Sequence, residues 1–206
     1  MSEETDRVLD GFRPEGLWLR GQGWPGRHNA RPTLVVATDA TVRAAVRAAA
    51  WLDSDGRWWA ASDAAPTEPG TQQFGHRVLR AECRAVLRGI IDHPRPRPFE
   101  VWSDSLAAVA LCRRWAAGQT PRPRRWMDDQ AIRRLAREVA ERHPDIYYRH
   151  VPGHSDVAMN MGAHAIADAV ADGLAARRST EQVRGHCNRL AFTWSRRHRD
   201  TVAASA

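Results

Sequence analysis

The sequence predicts an α/β fold with a mixed sheet flanked by helices. Short runs of β-branched and aromatic residues alternate with longer segments of helical periodicity, in the order β-β-β-α-β-α-α-β-α. The first three strand-like runs follow one another closely, which indicates an antiparallel meander, and the later strands are separated by helices. At 206 residues the chain is long enough for one well-buried domain with tails.

The first three predicted strands form the meander. TLVVATD, from Thr33 to Asp39, is a short apolar run typical of a central strand. The next two runs, AAAWLDS and RWWAAS, are separated by Asp55 and Gly56, a pair that strongly favours a two-residue hairpin turn. We therefore expect the second and third strands to pair antiparallel.

A helix and a fourth strand follow. Residues 72–92 carry apolar side chains at helical spacing, and Glu82 lies inside that apolar stripe, with Val78 one turn before it and Val86 one turn after. PFEVWSD then predicts the fourth strand. Ser105 is placed to cap the next helix, LAAVALCRRWAAG.

The remaining segments complete the pattern. QTPRPRR is a basic, proline-interrupted loop, and MDDQAIRRLAREVAERH is a helix with acidic residues at its start and basic residues at its end. Residues 145–151 predict a fifth strand, and residues 160–176 an alanine-rich helix. A capping box from Ser179 to Gln182 precedes a basic final helix. Residues 1–32 have no clear periodicity and are expected to form an N-terminal extension.

Charge and composition point to a nucleic-acid partner. The formal net charge is +7, and the positive charge comes from arginine, which suits bidentate contact with phosphate. Genome composition is the alternative cause of this balance. The cysteines are far apart and two lie in predicted helices, so we expect reduced core thiols in a cytoplasmic protein. We expect a soluble, unexported protein without a membrane contact, since there is no signal sequence and no long apolar segment.

Three acidic residues stand beside or within apolar segments on three different predicted elements. Asp39 ends the first strand, Glu82 lies on the apolar face of a helix, and Asp104 ends the fourth strand. Arg80 and Arg84 are alternative partners for Glu82. If the fold draws the three carboxylates together, each close pair repels by about 4 kcal/mol at an effective dielectric constant of about 20. The pattern therefore predicts a divalent metal site.

These residues resemble the ribonuclease H type 1 family over residues 33–176. The resemblance rests on four features in order: ATDAT, AEC, SDS before a helix that ends in Trp115, and VPGH with Asn160 six residues after His154. It implies a ribonuclease H-like sheet of five strands in the order 3-2-1-4-5, and divides the chain into an extension (1–32), a catalytic domain (33–176) and a basic C-terminal helix and tail (177–206).

The resemblance also implies an activity. Members of the family cut the RNA strand of RNA:DNA hybrids with two Mg²⁺ or Mn²⁺ ions, leaving 5′-phosphate and 3′-hydroxyl ends. Asp39, Glu82 and Asp104 are then the implied metal ligands, with Asp39 bridging both ions, and His154 is the implied loop histidine that assists proton movement or product departure. We expect a monomer whose partner is the hybrid.

The chain departs from the family pattern at the fourth acidic position, where it carries His164. We favour His164 as the fourth ligand over Asp168, one helical turn later, and an imidazole ligand favours Mn²⁺ over Mg²⁺. The first loop lacks the usual glycines, and Leu106 follows the Ser-Asp-Ser motif. The candidate nucleic-acid contacts are Thr41, Arg43, Ser105 and Asn160, with the 121–125 loop and Arg196, Arg197 and Arg199 as further basic candidates.

Two alternatives remain open at the level of the sequence. One is a ribonuclease H-like module that binds nucleic acid without cutting it, which the missing fourth acid and the altered first loop would suit. The other is a nuclease with the same metal site that acts on double-stranded RNA or DNA. The intact set of three acids favours an enzyme, since a module that only binds has no need of clustered like charges.

Overall fold

A computed structural model of the chain describes residues 16–23, 34–43, 46–64, 71–93, 98–120, 129–142, 144–153 and 155–205. In this part of the chain, six strands form one mixed sheet in the order β1-β4-β3-β2-β5-β6. The pairs along β1-β4-β3-β2 are antiparallel, and those along β2-β5-β6 are parallel. The strands are β1 (Leu17–Gln22), β2 (Leu34–Arg43), β3 (Val46–Asp53), β4 (Arg57–Ala64), β5 (Phe99–Ser103) and β6 (Ile146–His150).

The predicted α/β class and the relative order of five strands are confirmed, but the strand count was wrong. The five predicted strands are β2 to β6, in the expected arrangement 3-2-1-4-5. The sixth, β1, lies in the segment that we expected to be an extension, and it pairs with β4 at the edge of the sheet. Its run LWLRGQ is short and contains Arg20 and Gly21, so the periodicity is weak and tertiary pairing decides the conformation.

Five helices of the described chain cover both faces of the sheet. They are α1 (Thr71–Ile91), α2 (Leu106–Ala116), α3 (Gln130–Arg142), α4 (Ala158–Ala175) and α5 (Thr180–Ala204). Helices α1, α2 and α3 share one buried apolar cluster with the sheet, and α4 and α5 share the other. Neither α4, α5 nor any other described helix is long and apolar enough to span a membrane.

The two apolar clusters follow from the alternation of side chains along the strands. On β2, Val36 packs in the cluster under α1, whereas its neighbour Ala37 packs in the cluster under α4. Both are completely buried, as are Phe99 and Ile166 in the respective clusters. The expectation that Asp39 ends this strand was wrong, because β2 continues to Arg43 by pairing with β3. Burial of this central strand on both sides gives Asp39 a fixed position.

The predicted β3–β4 hairpin and both caps are confirmed, but the predicted two-residue turn was wrong, because three residues, 54–56, connect the strands. At the β3–β4 hairpin, Gly56 has φ +83°, a conformation that favours glycine, and Asp53 Oδ1 accepts hydrogen bonds from the backbone N–H groups of Asp55 and Arg57 at 3.0 and 2.8 Å. Ser105 caps α2 through its hydroxyl oxygen, and Ser179 begins α5 with a capping box. The three cysteines are free and buried, as expected.

Candidate active site

Three elements bring the predicted acids together at one end of the sheet. Asp39 lies within β2, one residue beyond the part of that strand that pairs with β5; Glu82 is in the middle of α1, and Asp104 immediately follows β5. Each offers a carboxylate oxygen, and these oxygens all lie within 4.8 Å of one another. Strands β2 and β5 are parallel neighbours whose pairing ends at Thr38 and Ser103, so Asp39 and Asp104 follow a matched pair of residues, and α1 packs on the sheet beside them. The convergence expected from the sequence is therefore present.

The Glu82 carboxylate is held at one oxygen and has no partner at the other. Its Oε1 accepts a hydrogen bond from the backbone N–H of Ala40 at 3.2 Å. Within the described chain, its buried Oε2 makes no hydrogen bond. The alternative partners bind elsewhere, because Arg80 and Arg84 lie 2.5 and 2.8 Å from Asp129 Oδ2. Glu82 thus keeps a buried oxygen available for a ligand in the cluster.

The backbone around Asp104 is fixed by short polar contacts. Ser103 Oγ accepts a hydrogen bond from the backbone N–H of Ser105 at 3.1 Å, and His150 Nε2 lies 3.1 Å from the carbonyl oxygen of Asp104. The loop after β6 passes close to the carboxylate, since a Cβ on Gly153 would lie 3.1 Å from Asp104 Oδ2. Neither the His150 contact nor this approach of Gly153 was expected from the sequence, because both depend on how β5 and β6 pair.

Burial and mutual repulsion make the cluster costly to ionise. Burial raises the pKa of Asp39 to about 6, and the neighbouring Asp104 carboxylate adds to the shift, while the hydrogen bond from His164 opposes it. Burial raises the pKa of Glu82 well above its usual range, and the charges of Asp39 and Asp104 raise it further. A cation at this point would relieve both effects.

The donor set fits a hard divalent cation. Three carboxylates converge, one oxygen of Glu82 has no hydrogen-bond partner within the described chain, and the raised pKa values of Asp39 and Glu82 show that their anionic forms are disfavoured without a counter-charge. Carboxylate oxygens are the ligands that Mg²⁺ prefers in proteins, and Mn²⁺ accepts the same donors. Asp39, Glu82 and Asp104 could therefore hold such an ion.

His164 lies beside the carboxylates, at the position where the sequence suggested a fourth ligand. Its Nδ1 is 2.8 Å from Asp39 Oδ2, and its Nε2 is 3.5 Å from Asp168 Oδ2. The hydrogen bond to Asp39 raises the pKa of His164, with further contributions from the charges of Asp39, Asp168 and Asp104 and an opposing one from burial. The imidazole therefore orients Asp39 and offsets part of the negative charge.

A pocket of about 290 Å³ opens over the cluster. The polar residues that line it include two of the predicted nucleic-acid contacts, Ser105 and Asn160. Thr41 lies on β2 but not among the lining residues, and His154 and the side chain of Arg43 lie outside the described residues, as does the 121–125 loop. Two apolar residues that line the pocket, Val78 and Met161, were not identified as pocket residues from the sequence. Their positions could have indicated it, because Val78 lies one helical turn before Glu82 and Met161 is next to Asn160. The complete lining is Asp39, Ala40, Val78, Glu82, Asp104, Ser105, Asn160, Met161 and His164.

No protein-family model and no curated protein matches the chain. Solved structures of ribonucleases H1 are similar to it. LC11 ribonuclease H1, isolated from compost by a metagenomic approach, is 16% identical over 70% of this chain and 99% of its own, with a TM-score of 0.44. For ribonuclease H1 from the halophilic archaeon Halobacterium salinarum the identity is 19%, the coverage 68% and 98%, and the TM-score 0.43. LC11 ribonuclease H1 in complex with an RNA/DNA hybrid is 17% identical over 63% and 92%, with a TM-score of 0.40.

Proposed function

We propose that this protein is a metal-dependent endoribonuclease that hydrolyses the RNA strand of RNA:DNA hybrids and leaves 5′-phosphate and 3′-hydroxyl ends. The observation that carries the proposal is the convergence of Asp39, Glu82 and Asp104. The sequence motifs around these acids support the choice of hybrid as substrate, since they resemble those of ribonuclease H type 1. The net charge of +7 is consistent with a nucleic-acid partner.

The chemistry expected of the site is phosphodiester hydrolysis. Two Mg²⁺ or Mn²⁺ ions bound by the carboxylates would activate a water molecule and stabilise the charge that develops on the phosphate and the leaving oxygen. The protein contributes fixed ligands, because Glu82 is anchored by the Ala40 N–H and Asp39 by His164. Ser105 and Asn160 line the same pocket and are proposed to contact the nucleic acid. His154 is proposed to assist proton movement or product departure.

A binding module without activity is a less suitable interpretation. Such a module would keep two strongly buried carboxylates and a third at their side without the cation that offsets their repulsion. Replacing buried ion pairs by well-packed hydrophobic residues is often neutral or stabilising, so packing alone gives no reason to keep the cluster, whereas a bound cation would offset its cost. We therefore propose catalysis as the reason for the cluster.

The test is a substrate panel. The protein is incubated with an end-labelled RNA:DNA hybrid, double-stranded RNA and double-stranded DNA, each with Mg²⁺, Mn²⁺ or EDTA. We expect cleavage of the RNA strand of the hybrid with either metal, and none with EDTA. Glu82→Gln should abolish cleavage, whereas Glu141→Gln, the same change at a residue 62% exposed on α3, should leave it intact. Preferential cleavage of another duplex would reassign the substrate, and binding without cleavage in every condition would refute the enzyme.

A further inference from the structure

An exposed aromatic side chain and an exposed arginine stand together on the face of the edge strand β6. Tyr147 has an exposed fraction of 63%, and Arg149 is also exposed. Their neighbours along the strand, Ile146 and Tyr148, pack in the buried cluster that α1, α2 and α3 share with the sheet. Because side chains alternate along a strand, Tyr147 and Arg149 lie on the opposite face, which α4 and α5 leave open at β6.

Ring contacts join this part of the sheet to the second half of α5. Trp102 on β5 is opposite Arg149 in the strand register, and the Arg149 guanidinium lies 5.0 Å from the centre of the Trp102 ring. The His198 ring of α5 lies 5.9 Å from the Trp102 ring at 89°. One turn before His198, Trp194 packs against the cluster under α4 and α5, and the Arg197 guanidinium lies 5.4 Å from its ring centre. We call the following set the aromatic–arginine surface: Tyr147, Arg149, Trp102, Trp194 and Arg197.

The charge of the aromatic–arginine surface suits an anionic partner. Arg149 and Arg197 are exposed, and neither forms an ion pair within the described chain. Of the acids on the same elements, Glu100 accepts a hydrogen bond at 2.7 Å from the indole N–H two residues later, and Asp200 lies 3.8 Å from Arg196. A guanidinium that stacks on a ring keeps the N–H groups at its edge for other acceptors. Two arginines are therefore placed to contact phosphate groups.

The exposed ring of Tyr147 distinguishes between kinds of nucleic acid. The bases of a duplex stack on one another inside the helix, whereas the bases of an unpaired strand can stack on aromatic side chains, including rings on the face of a sheet. We propose that the aromatic–arginine surface binds an unpaired nucleic-acid strand, with one base stacked on Tyr147 and phosphates at Arg149 and Arg197. None of its residues lines the pocket over the carboxylates, so this is a second site, beyond the proposed cleavage of hybrids.

Binding of a DNA strand in the absence of metal tests the inference. The probe is a fluorescein-labelled single strand of about 12 deoxythymidines, within the usual length of such sites, and fluorescence anisotropy is measured in EDTA. Tyr147→Thr removes the ring and keeps a β-branched residue on the strand, so it should weaken binding by about 5- to 100-fold, the range for one stacked base. Tyr147→Phe should bind as the wild-type protein does, since stacking needs the ring and not the hydroxyl.

The role of the two arginines is measured by the salt dependence of the same binding. Each phosphate of a single strand that a protein neutralises adds about 0.7 to the slope of log affinity against log salt concentration. Arg149→Gln and Arg197→Gln should therefore each lower the slope by about 0.7. Arg184→Gln is the matched control, because Arg184 is exposed in the second turn of α5, outside the aromatic–arginine surface. It removes the same charge and should leave the slope unchanged.

The outcomes are independent of the proposed function, because the probe has no RNA strand to cut and the carboxylates have no metal. Absence of binding, equal affinity of Tyr147→Thr and the wild-type protein, or tighter binding of a DNA duplex of the same length would overturn the inference. An equal fall of the slope in all three arginine variants would also overturn it, since net charge would then explain the binding. Should Tyr147→Thr fail to fold, these slopes decide.

A second copy of the chain is the other occupant that the experiment detects. Sedimentation velocity of the wild-type protein without the oligonucleotide measures self-association. Association that Arg149→Gln or Tyr147→Thr abolishes would assign the aromatic–arginine surface to a dimer and overturn the inference. A monomer that binds the single strand, with the expected losses in the variants, would support it.

Discussion

At the scale of single residues, Glu82 is the acid whose burial costs stability and whose proposed role is to bind the metal. An acid on the apolar side of a helix, with one oxygen bound to a backbone N–H and the other without a partner in the described chain, is disfavoured when ionised. The raised pKa of Glu82 expresses this cost. If Glu82 destabilises the metal-free protein and is needed for activity, its substitution should raise the stability of the metal-free protein and lower the activity.

Glu82→Gln tests that separation. The amide keeps the shape and removes the charge, so we expect cleavage of the hybrid to be lost, with a fall in rate of at least about two to three orders of magnitude, the effect of losing one charge-stabilising group. The metal-free variant should melt at a higher temperature than the wild-type protein at neutral pH, as judged by circular dichroism. Glu141→Gln, on the exposed side of α3, should alter neither quantity. Equal losses of stability and activity would indicate a structural role.

The acidic cluster also makes the stability of the metal-free protein depend on pH. Because the pKa of Asp39 rises from 3.8 to about 6 on folding, the folded state holds a proton that the unfolded state releases between these values. Stability therefore falls as pH rises through this window, and Glu82 extends the fall to higher pH. Thermal melts from pH 4 to 8 in EDTA should show this trend, a smaller one in Asp39→Asn, and recovery with Mn²⁺ at the upper end. A wild-type curve that rises with pH through the window would contradict the description of the cluster.

His164 and Asp168 are the two candidates for the fourth metal ligand, and their variants can be compared. His164 contacts Asp39 at 2.8 Å, whereas Asp168 reaches the cluster through the imidazole. We expect His164→Ala to reduce metal-supported cleavage far more than Asp168→Ala, and the wild-type protein to be more active with Mn²⁺ than with Mg²⁺. Rates over a range of concentrations of each metal provide the measurement. The opposite order of the two variants would assign the fourth position to Asp168.

The sequence could predict the acids but not all of their contacts. Asp39, Glu82 and Asp104 interrupt apolar patterns, and such interruptions can be recognised in the sequence alone. The bond from His164 to Asp39 spans 125 residues, and the approach of Gly153 to Asp104 depends on the parallel pairing of β5 and β6. Such contacts follow from tertiary structure, for which local periodicity contains no signal.

At the scale of elements, α4 is positioned by close packing against α5 and β3. A Cβ on Gly162 would lie 2.5 Å from Leu52 Cδ2 and 2.7 Å from Trp194 Cβ. Gly162 therefore allows α4, with Asn160 and His164, to sit close to the sheet. Glycine has a low helix propensity, so this close packing gives a physical reason for a glycine inside α4.

Gly162→Ala should thus destabilise the protein although alanine favours helices. We expect a loss of about 1 to 3 kcal/mol, the usual cost of overpacking. Gly185→Ala, in α5, is the matched control: its Cβ would meet only Arg189 Nη1 at 3.8 Å, so it should stabilise the protein by about 0.5 to 1 kcal/mol. Urea denaturation of both variants measures the two effects. Stabilisation by Gly162→Ala would show that α4 packs less closely than described.

Strands and caps were predictable where local chemistry decides the conformation. The hairpin at Asp55-Gly56 and the caps at Ser105 and Ser179 have short-range signals, and all three are present, although the hairpin loop has three residues instead of the two expected. Strand β1 has no such signal. Its Trp18 and Leu19 are buried because β4 and the two apolar clusters accept them, which only the assembled sheet determines.

At the scale of the whole molecule, the sheet places Asp39 and Asp104 where the pairing of β2 with β5 ends, and helices pack on both faces of the sheet. The division into an extension (1–32), a catalytic domain (33–176) and a C-terminal region (177–206) stays a prediction. In the structure, β1 joins the sheet, and α5 buries Cys187 and Ala191 in the cluster that it shares with α4. The positive charge of α5 is partly engaged within the helix, since Arg196 lies 3.8 Å from Asp200 and Arg197 lies over the Trp194 ring.

Cleavage of an RNA:DNA hybrid labelled on its RNA strand, by the wild-type protein and by Asp39→Asn, Glu82→Gln and Asp104→Asn, tests the central claim most directly. We predict that the wild-type protein cuts the RNA strand with Mn²⁺ or Mg²⁺, leaves 5′-phosphate and 3′-hydroxyl ends, and loses this activity in EDTA. Each of the three variants should bind the hybrid and fail to cut it. Cleavage that persists in EDTA or in all three variants, or binding by the wild-type protein without cleavage under any metal, would contradict the account.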